Sequence, residues 1–317
     1  MLTLKPQDQM DPRRNKVLAV SLGALIILSA ALAWWGRGED RRAVDRQMFA
    51  IAETDKINRV TLVRATDSVD LVFDGSRWMV NGTWAADLQM IKVLMATLRQ
   101  IEPHRPVAAS QVDTVNAQLT AAGTRVTVSF SDGTQQTFTA GGNRSKTEAW
   151  MRKEGEDAPY SMIIPGYRVY VSGVFELDAG GWRNKRVFDF NWRNFKSLTA
   201  SYPRDPSAGF VVEMKQRFFG IRDMAAVDTT RLNDYLDAVS LLFARRFLSD
   251  QPTTQDPPVV RIEILDIADR TYTLELFAPR PNDAEVVGRL GDGQWLTFDP
   301  PDVEALLRRR SYFTAPD

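Results

Sequence analysis

The chain has 317 residues, with 40 basic and 40 acidic side chains, one histidine and no cysteine. A formal net charge of zero without a basic stripe excludes the usual footprint of a nucleic-acid binder. The missing thiols exclude disulfides, thiolate metal sites, cysteine nucleophiles and a lipid anchor on cysteine. With 44% apolar and 25% charged residues the chain is expected to fold, and its length suits two compact units.

Residues 1–16 form a short tail carrying Arg13, Arg14 and Lys16. Residues 17–35 read VLAVSLGALIILSAALAWW without a charge. At ~1.5 Å per residue that run spans roughly 28 Å, close to the ~30 Å hydrocarbon core of a bilayer. Trp34 and Trp35 stand where an aromatic belt would lie. The expectation is one transmembrane helix over residues 17–35 that tethers the chain to the cell inner membrane. A basic tail before the first apolar helix puts residues 1–16 in the cytoplasm and the bulk on the periplasmic side. Arg37, Arg41, Arg42 and Arg46 follow the helix, so the basic count alone favours neither side. Ala31-Leu32-Ala33 is like a cleavage site, but the polar stretch such sites need is missing, and an uncleaved anchor is expected. Residues 36–55 are polar and read as a stalk.

The remainder reads as two tandem copies of one module, residues 56–190 and 191–317. In each, a strand pair leads into an Asp-started helix. Arg77-Trp78 aligns with Arg217-Phe218 at a shift of 140 (217 − 77), and Asp87 with Asp228 at 141 (228 − 87). Leu88, Ile91, Leu94, Met95, Leu98 and Ile101 fall on one helical face, as do Leu232, Tyr235, Leu236, Val239 and Phe243. Each Asp stands where a carboxylate caps free backbone N–H groups. Residues 126–130 alternate as a half-buried strand, turn at Asp132-Gly133 and return through Thr137-Phe138-Thr139. Their counterpart is residues 260–264 returning through Thr271-Tyr272-Thr273, a shift of 134 (260 − 126). Residues 182–188 (WRNKRVF) align with 307–313 (LRRRSYF) as a short closing helix. The fold class is therefore α+β: antiparallel sheets with helices on one face, repeated in tandem behind a single N-terminal membrane helix. No Gly/Ser-rich or Pro-rich linker separates the copies, so they are expected to pack as a fairly rigid pair.

The run LVFDGSRWMVNG followed by WAADLQMIKVLMATLRQI resembles the domain-of-unknown-function family 4340. The stretches AQLTAAGTRVTVSFSDGTQQTFTAGG, Trp150-Met151-Arg152 and WRNKRVF fit the same pattern. The resemblance covers residues 55–200 well and the rest weakly. It implies a membrane-anchored, extracytoplasmic accessory component, with an ABC-type transporter permease or its gliding-motility-like auxiliary subunit as partner. Relatives that look like lipoproteins differ from this chain, which has no cysteine and must rely on its apolar helix. The family has no agreed catalytic residues to carry over.

Nothing in the sequence builds a catalytic or cofactor site. His104 lies between Pro103 and Pro106 just past a helix end and reads as part of a rigid exposed turn. Glu154-Gly155-Glu156-Asp157 lacks the spacing of a calcium loop and reads as a solvated hairpin tip. Residues 141–146 (GGNRSK) lack the order of a phosphate-cradling loop, and the neighbours Ser145 and Lys146 are not evidence of a dyad. The candidate interaction surface is the basic-aromatic interleaving near the module seam: Trp182, Arg183, Lys185, Arg186, Trp192 and Arg193. The plainer reading is that these aromatics plug the cores while the arginines line the rim. The leading expectation is a non-enzymatic scaffold subunit without cofactor, metal or nucleic-acid partner. The alternative is a binding module for an envelope glycan, lipid or peptide, using a groove lined by Trp78, Trp182 or Trp192. A hydrolase acting on envelope polymers ranks third.

Overall fold

The computed structural model describes residues 21–29, 45–188, 192–215, 218–252, 256–279 and 284–315. Among them no helix is long and apolar enough to cross a membrane. The expected span over 17–35 falls within the described residues only at 21–29, a helix (α1) whose Leu22, Leu25, Ile26, Ile27 and Leu28 are exposed. The rest of that span, and residues 36–44 of the expected stalk, lie outside the described residues. The stalk reading is corrected at its C-terminal end. Phe49 and Ile51 are buried, Phe49 stands edge-on to Phe138 at 6.0 Å, and the Ile51 amide donates to the carbonyl of Leu98.

The first sheet has nine strands: β1 (Ile57–Val63), β2 (Ser68–Phe73), β3 (Trp78–Val80), β4 (Trp84–Ala85), β5 (Glu102–Pro106), β6 (Thr124–Phe130), β7 (Gln135–Gly142), β8 (Ala149–Lys153) and β9 (Tyr160–Ile163). Their order is β4-β3-β2-β1-β6-β7-β8-β9-β5. The second sheet has eight: β10 (Phe195–Ser201), β11 (Phe210–Lys215), β12 (Phe218–Ile221), β13 (Arg246–Phe247), β14 (Val260–Asp266), β15 (Thr271–Leu276), β16 (Val286–Leu290) and β17 (Trp295–Phe298). Its order, β12-β11-β10-β14-β15-β16-β17-β13, repeats the first without a partner for β4. Every pairing is antiparallel. The register slips at the same place in both central ladders, between Ile57 and Arg59 in one and between Phe195 and Ser197 in the other.

Helix α2 (Leu88–Gln100) follows β4 in the first unit, and α5 (Thr229–Ser240) follows β12 in the second. Asp87 accepts from the amides of Gln89 and Met90, and Asp228 from that of Arg231. Such a cap is worth about 1 kcal/mol. Both cap residues are pinned by the closing segment of their own unit: the Asp87 amide donates to Trp182 O at 2.8 Å, and the Asp228 amide to Phe313 O at 2.9 Å. Ile91, Leu94 and Leu98 bury the apolar stripe of α2, and Leu232, Leu236 and Val239 that of α5, each at roughly 2 kcal/mol. Leu88 and Phe243, placed on those stripes from the sequence, are exposed instead, because each sits at or beyond its helix end, where the neighbouring turn no longer covers it.

Register corrects three of the sequence alignments. Val126 faces Leu62 on β1 and Ile262 faces Ala200 on β10, and their hairpin partners are Phe138 and Leu274. The hairpin shift is thus 136 (262 − 126), not 134. A slip of two preserves the alternation of faces and so leaves no trace in an apolar pattern. Val80 pairs with Leu71 and Ile221 with Val212, which equates Trp78 with Phe219 at the helix shift of 141 rather than with Phe218. The closing segments match through Trp182 and Phe313, both fully buried, at a shift of 131 (313 − 182). A helix absent from the sequence reading, α3 (Val112–Ala122), lies against Gly141 of β7 through Leu119, and Val115 joins it in a small cluster with Trp150 of β8. The short α4 (Ala179–Trp182) and α6 (Pro300–Glu304) precede the two closing segments.

Candidate interaction surface

Residues 182–188 run from one core into the other. The Trp182 ring is fully buried in the first core, and Phe188 is buried in the second. Between them the backbone pairs in both directions. The Asn184 amide donates to Ala85 O at 2.9 Å on the first side. On the second side Ala244 N donates to Lys185 O at 2.8 Å and Val187 N to Leu242 O at 3.0 Å. The strap therefore makes one antiparallel bridge to each unit, Arg183 to Ala86 and Arg186 to Phe243.

Arg183 occupies the middle of this seam and is 8% exposed. Its guanidinium carbon lies 4.2 Å from the ring centre of Trp84, on β4, and 3.6 Å from that of Phe247, on β13. One of its terminal nitrogens donates to Gln294 Oε1 at 3.1 Å, while Nε has no hydrogen-bond partner among the described residues. Burial draws its pKa down to about 10, against a smaller opposing pull from Asp292. A cation between two aromatic faces gains about 0.5–2 kcal/mol from each when water is excluded. The charge that the sequence placed on a rim is thus an internal pin between the two units.

The other predicted surface residues scatter. Lys185 is half-buried, and Arg186 is exposed with its guanidinium 5.6 Å from the Phe243 ring centre. Trp192 packs against Phe195 at 5.2 Å and Phe219 at 5.6 Å, and Arg193 is exposed. Trp182 and Arg183 cannot present themselves to a partner because both are buried, which leaves Lys185, Arg186 and Arg193 as the accessible part of the set. A cavity of about 460 Å³ opens along the seam, with Asp178 and Asp250 set against Lys185 and Arg246 in its lining. Among the described residues neither sign of charge prevails there, and no tryptophan lines it. Trp78, a candidate groove residue, stands against Phe73 at 5.8 Å instead.

The chemistry-bearing residues singled out in the sequence have structural partners. His104 belongs to β5 rather than to a turn: it is the exposed extra residue where the register slips between Pro103 and Arg105. An edge strand tolerates both prolines and the bulge because its outer side needs no ladder. Ser145 Oγ lies 3.1 Å from Thr147 Oγ1, whereas Lys146 pairs with Glu176, so the two form no dyad. The acidic run at 154–157 begins in the β8–β9 turn, where Glu154 pairs with Arg125 and Glu156 with Lys153. No group of three or more His, Cys, Asp or Glu among the described residues is arranged to hold a metal ion.

The pin itself was missed by sequence reasoning. Trp84, Phe247 and Gln294 come from segments far apart in the chain, Arg183 and Gln294 being 111 residues distant, and no local pattern joins them.

Fold and seam together define a class: a mixed α+β chain of two antiparallel sheets with one strand plan, locked through a buried arginine. The chain belongs to the family described as Domain of unknown function (DUF4340), whose model matches residues 78–260. That match begins later than the resemblance expected over residues 55–200 and runs well beyond it, to the first residue of β14. No curated protein and no solved structure matches the chain.

Proposed function

We propose that this protein is a non-enzymatic scaffold subunit, tethered by residues 17–35 in the inner membrane with its two sheets on the periplasmic side, in an ABC-type transporter assembly. The observation that carries the scaffold reading is the seam. A shared backbone strap and the Arg183 stack join the two units, which suits a part that holds partner surfaces at fixed spacing. The uncharged run at 17–35 supports the tether, and the family resemblance supports the transporter partner. The pairing of Ser145, Lys146 and Glu176 with structural neighbours favours interaction over catalysis.

The test is purification of the full chain, with residues 17–35 intact, in mild detergent. Near-stoichiometric co-purification of an ABC-type permease or its ATPase supports the reading, and Arg186→Glu at the seam should weaken it severalfold. Recovery of this chain alone would count decisively against the assignment.

A further inference from the structure

Because the two sheets share a plan, a difference between them at matched positions is not imposed by the fold. The hairpin shift of 136 places Val259, Phe277 and Ala278 where the first sheet has Gly123, Gly141 and Gly142. The closing-segment shift of 131 places Leu307 where the first unit has Glu176.

In the first unit this corner also holds a cavity, of about 390 Å³, but charged and amide side chains line it. Helix α3 lies so close that a Cβ on Gly141 would come 2.9 Å from Leu119 Cδ2, and the Tyr170 ring crowds Gly142 in the same way. The polar part of the cavity wall includes Asn143, Arg144, Lys146 and Glu176. Tyr170 donates to Glu176 Oε1 at 2.5 Å, and Lys146 pairs with the same carboxylate.

In the second unit the described residues between β13 and β14 form no helix, and the matched positions carry larger apolar side chains. The cavity there is of similar volume, about 380 Å³, between the β14–β15–β16 hairpins and α6, but its walls are Val259, Leu276, Phe277, Val286, Val303 and Leu307. That volume lies within the range of about 300–1,000 Å³ typical of small-molecule sites. Among the described residues the one charged side chain in the lining, Glu304, stands 3.6 Å from Arg308. Three further lining residues, Pro279, Pro300 and Pro301, have no backbone N–H to offer.

These walls select among ligand chemistries. A peptide or a glycan brings amides or hydroxyls that would be buried here without partners, which weakens binding by orders of magnitude. An alkyl chain brings none. We propose that this cavity binds one unbranched alkyl chain, from a membrane lipid or a free fatty acid, inserted tail first. The site is independent of the scaffold reading and does not use the seam. Each methylene added to the ligand tightens binding about fourfold until the cavity is full, the equivalent of about 0.8 kcal/mol per buried CH₂.

The test uses the full chain in nanodiscs of phosphatidylethanolamine and phosphatidylglycerol. A diazirine-bearing palmitic acid is supplied free in one arm and as the acyl chain of a phospholipid in the other, and labelled peptides are mapped by mass spectrometry. Labelling within residues 274–279 or 300–307 is expected, with unlabelled fatty acids competing about fourfold better per added methylene. Labelling from the phospholipid arm identifies a bilayer lipid as the source, and labelling from the free acid alone identifies a soluble one. Ala278→Trp, at an exposed position on the cavity wall, should cut this labelling at least tenfold, whereas Gln118→Trp beside the matched corner of the first unit should leave it unchanged. Label confined to residues 17–35, or undiminished in Ala278→Trp, overturns the proposal.

Discussion

Replacing Arg183 separates its packing role from its charge. The guanidinium contributes two aromatic contacts, at about 0.5–2 kcal/mol each, and a hydrogen bond to Gln294 worth about 1.5–3 kcal/mol. Against this stands the cost of burying the ion, the same cost that draws its pKa down to about 10. Arg183→Ala leaves a void between Trp84 and Phe247 and strands the Gln294 oxygen, so a net loss of about 2–4 kcal/mol is expected. Arg183→Met strands the same oxygen but fills the space between the rings, and removing the buried charge offsets the lost hydrogen bond, so its loss should stay within about 1 kcal/mol. Urea unfolding followed by tryptophan fluorescence measures both. A double-mutant cycle with Phe247→Ala should show a coupling of about 1–2 kcal/mol across the seam. Equal losses for Ala and Met, or additivity within about 0.5 kcal/mol, would refute the picture of a pin that acts by filling space between the two units.

Other outcomes follow from single contacts. Asp87→Ala and Asp228→Ala should each lower stability by about 1 kcal/mol in urea titrations, and similar values are expected because the two caps are matched. Gly141→Val should cost about 1–3 kcal/mol by driving α3 off β7, readable as faster amide exchange in residues 112–122. Burial raises the pKa of Asp266, but the backbone N–H and guanidinium of Arg270 and the amide of Ala268 outweigh it and hold the carboxyl below its ordinary 3.8. A folded pKa below the unfolded one stabilises above 3.8, and that stability is lost as pH falls through the folded value. Asp266→Asn should therefore lower the urea midpoint at about pH 7, with the gap to the native chain closing in stronger acid.

Much of the fold was legible because its signals are local. Helices α2 and α5 announce themselves through a capping Asp and a stripe of period 3.6, and the β6–β7 hairpin through alternation around Asp132-Gly133. The shifts between copies were harder to read. They change at each loop, from 141 around α2 to 136 at the hairpin and 131 at the closing segment, and an apolar pattern cannot show where a loop has lost a residue. Helix α3 has no side-chain cap, and its first turn is Val-Asp-Thr-Val, rich in β-branched residues, so its start carries no signal; it forms because Gly123 and Gly141 let Leu119 settle on β7. Phe49 and Ile51 sit in a polar stretch whose composition hides two core residues. The candidate site was half legible: a basic-aromatic cluster marked the seam, but burial of Arg183 depends on Trp84 and Phe247, brought to it only by the folded sheets.

The central claim, two units of one plan held as a single rigid body, is tested most directly by an electron–electron spin-distance measurement. The chain has no cysteine, so single labels at Lys92→Cys on α2 and Asp234→Cys on α5, both exposed positions, report on nothing else. One narrow distance distribution is expected in the native chain, broadening in Arg183→Ala. A broad or multiple distribution in the native chain would contradict it.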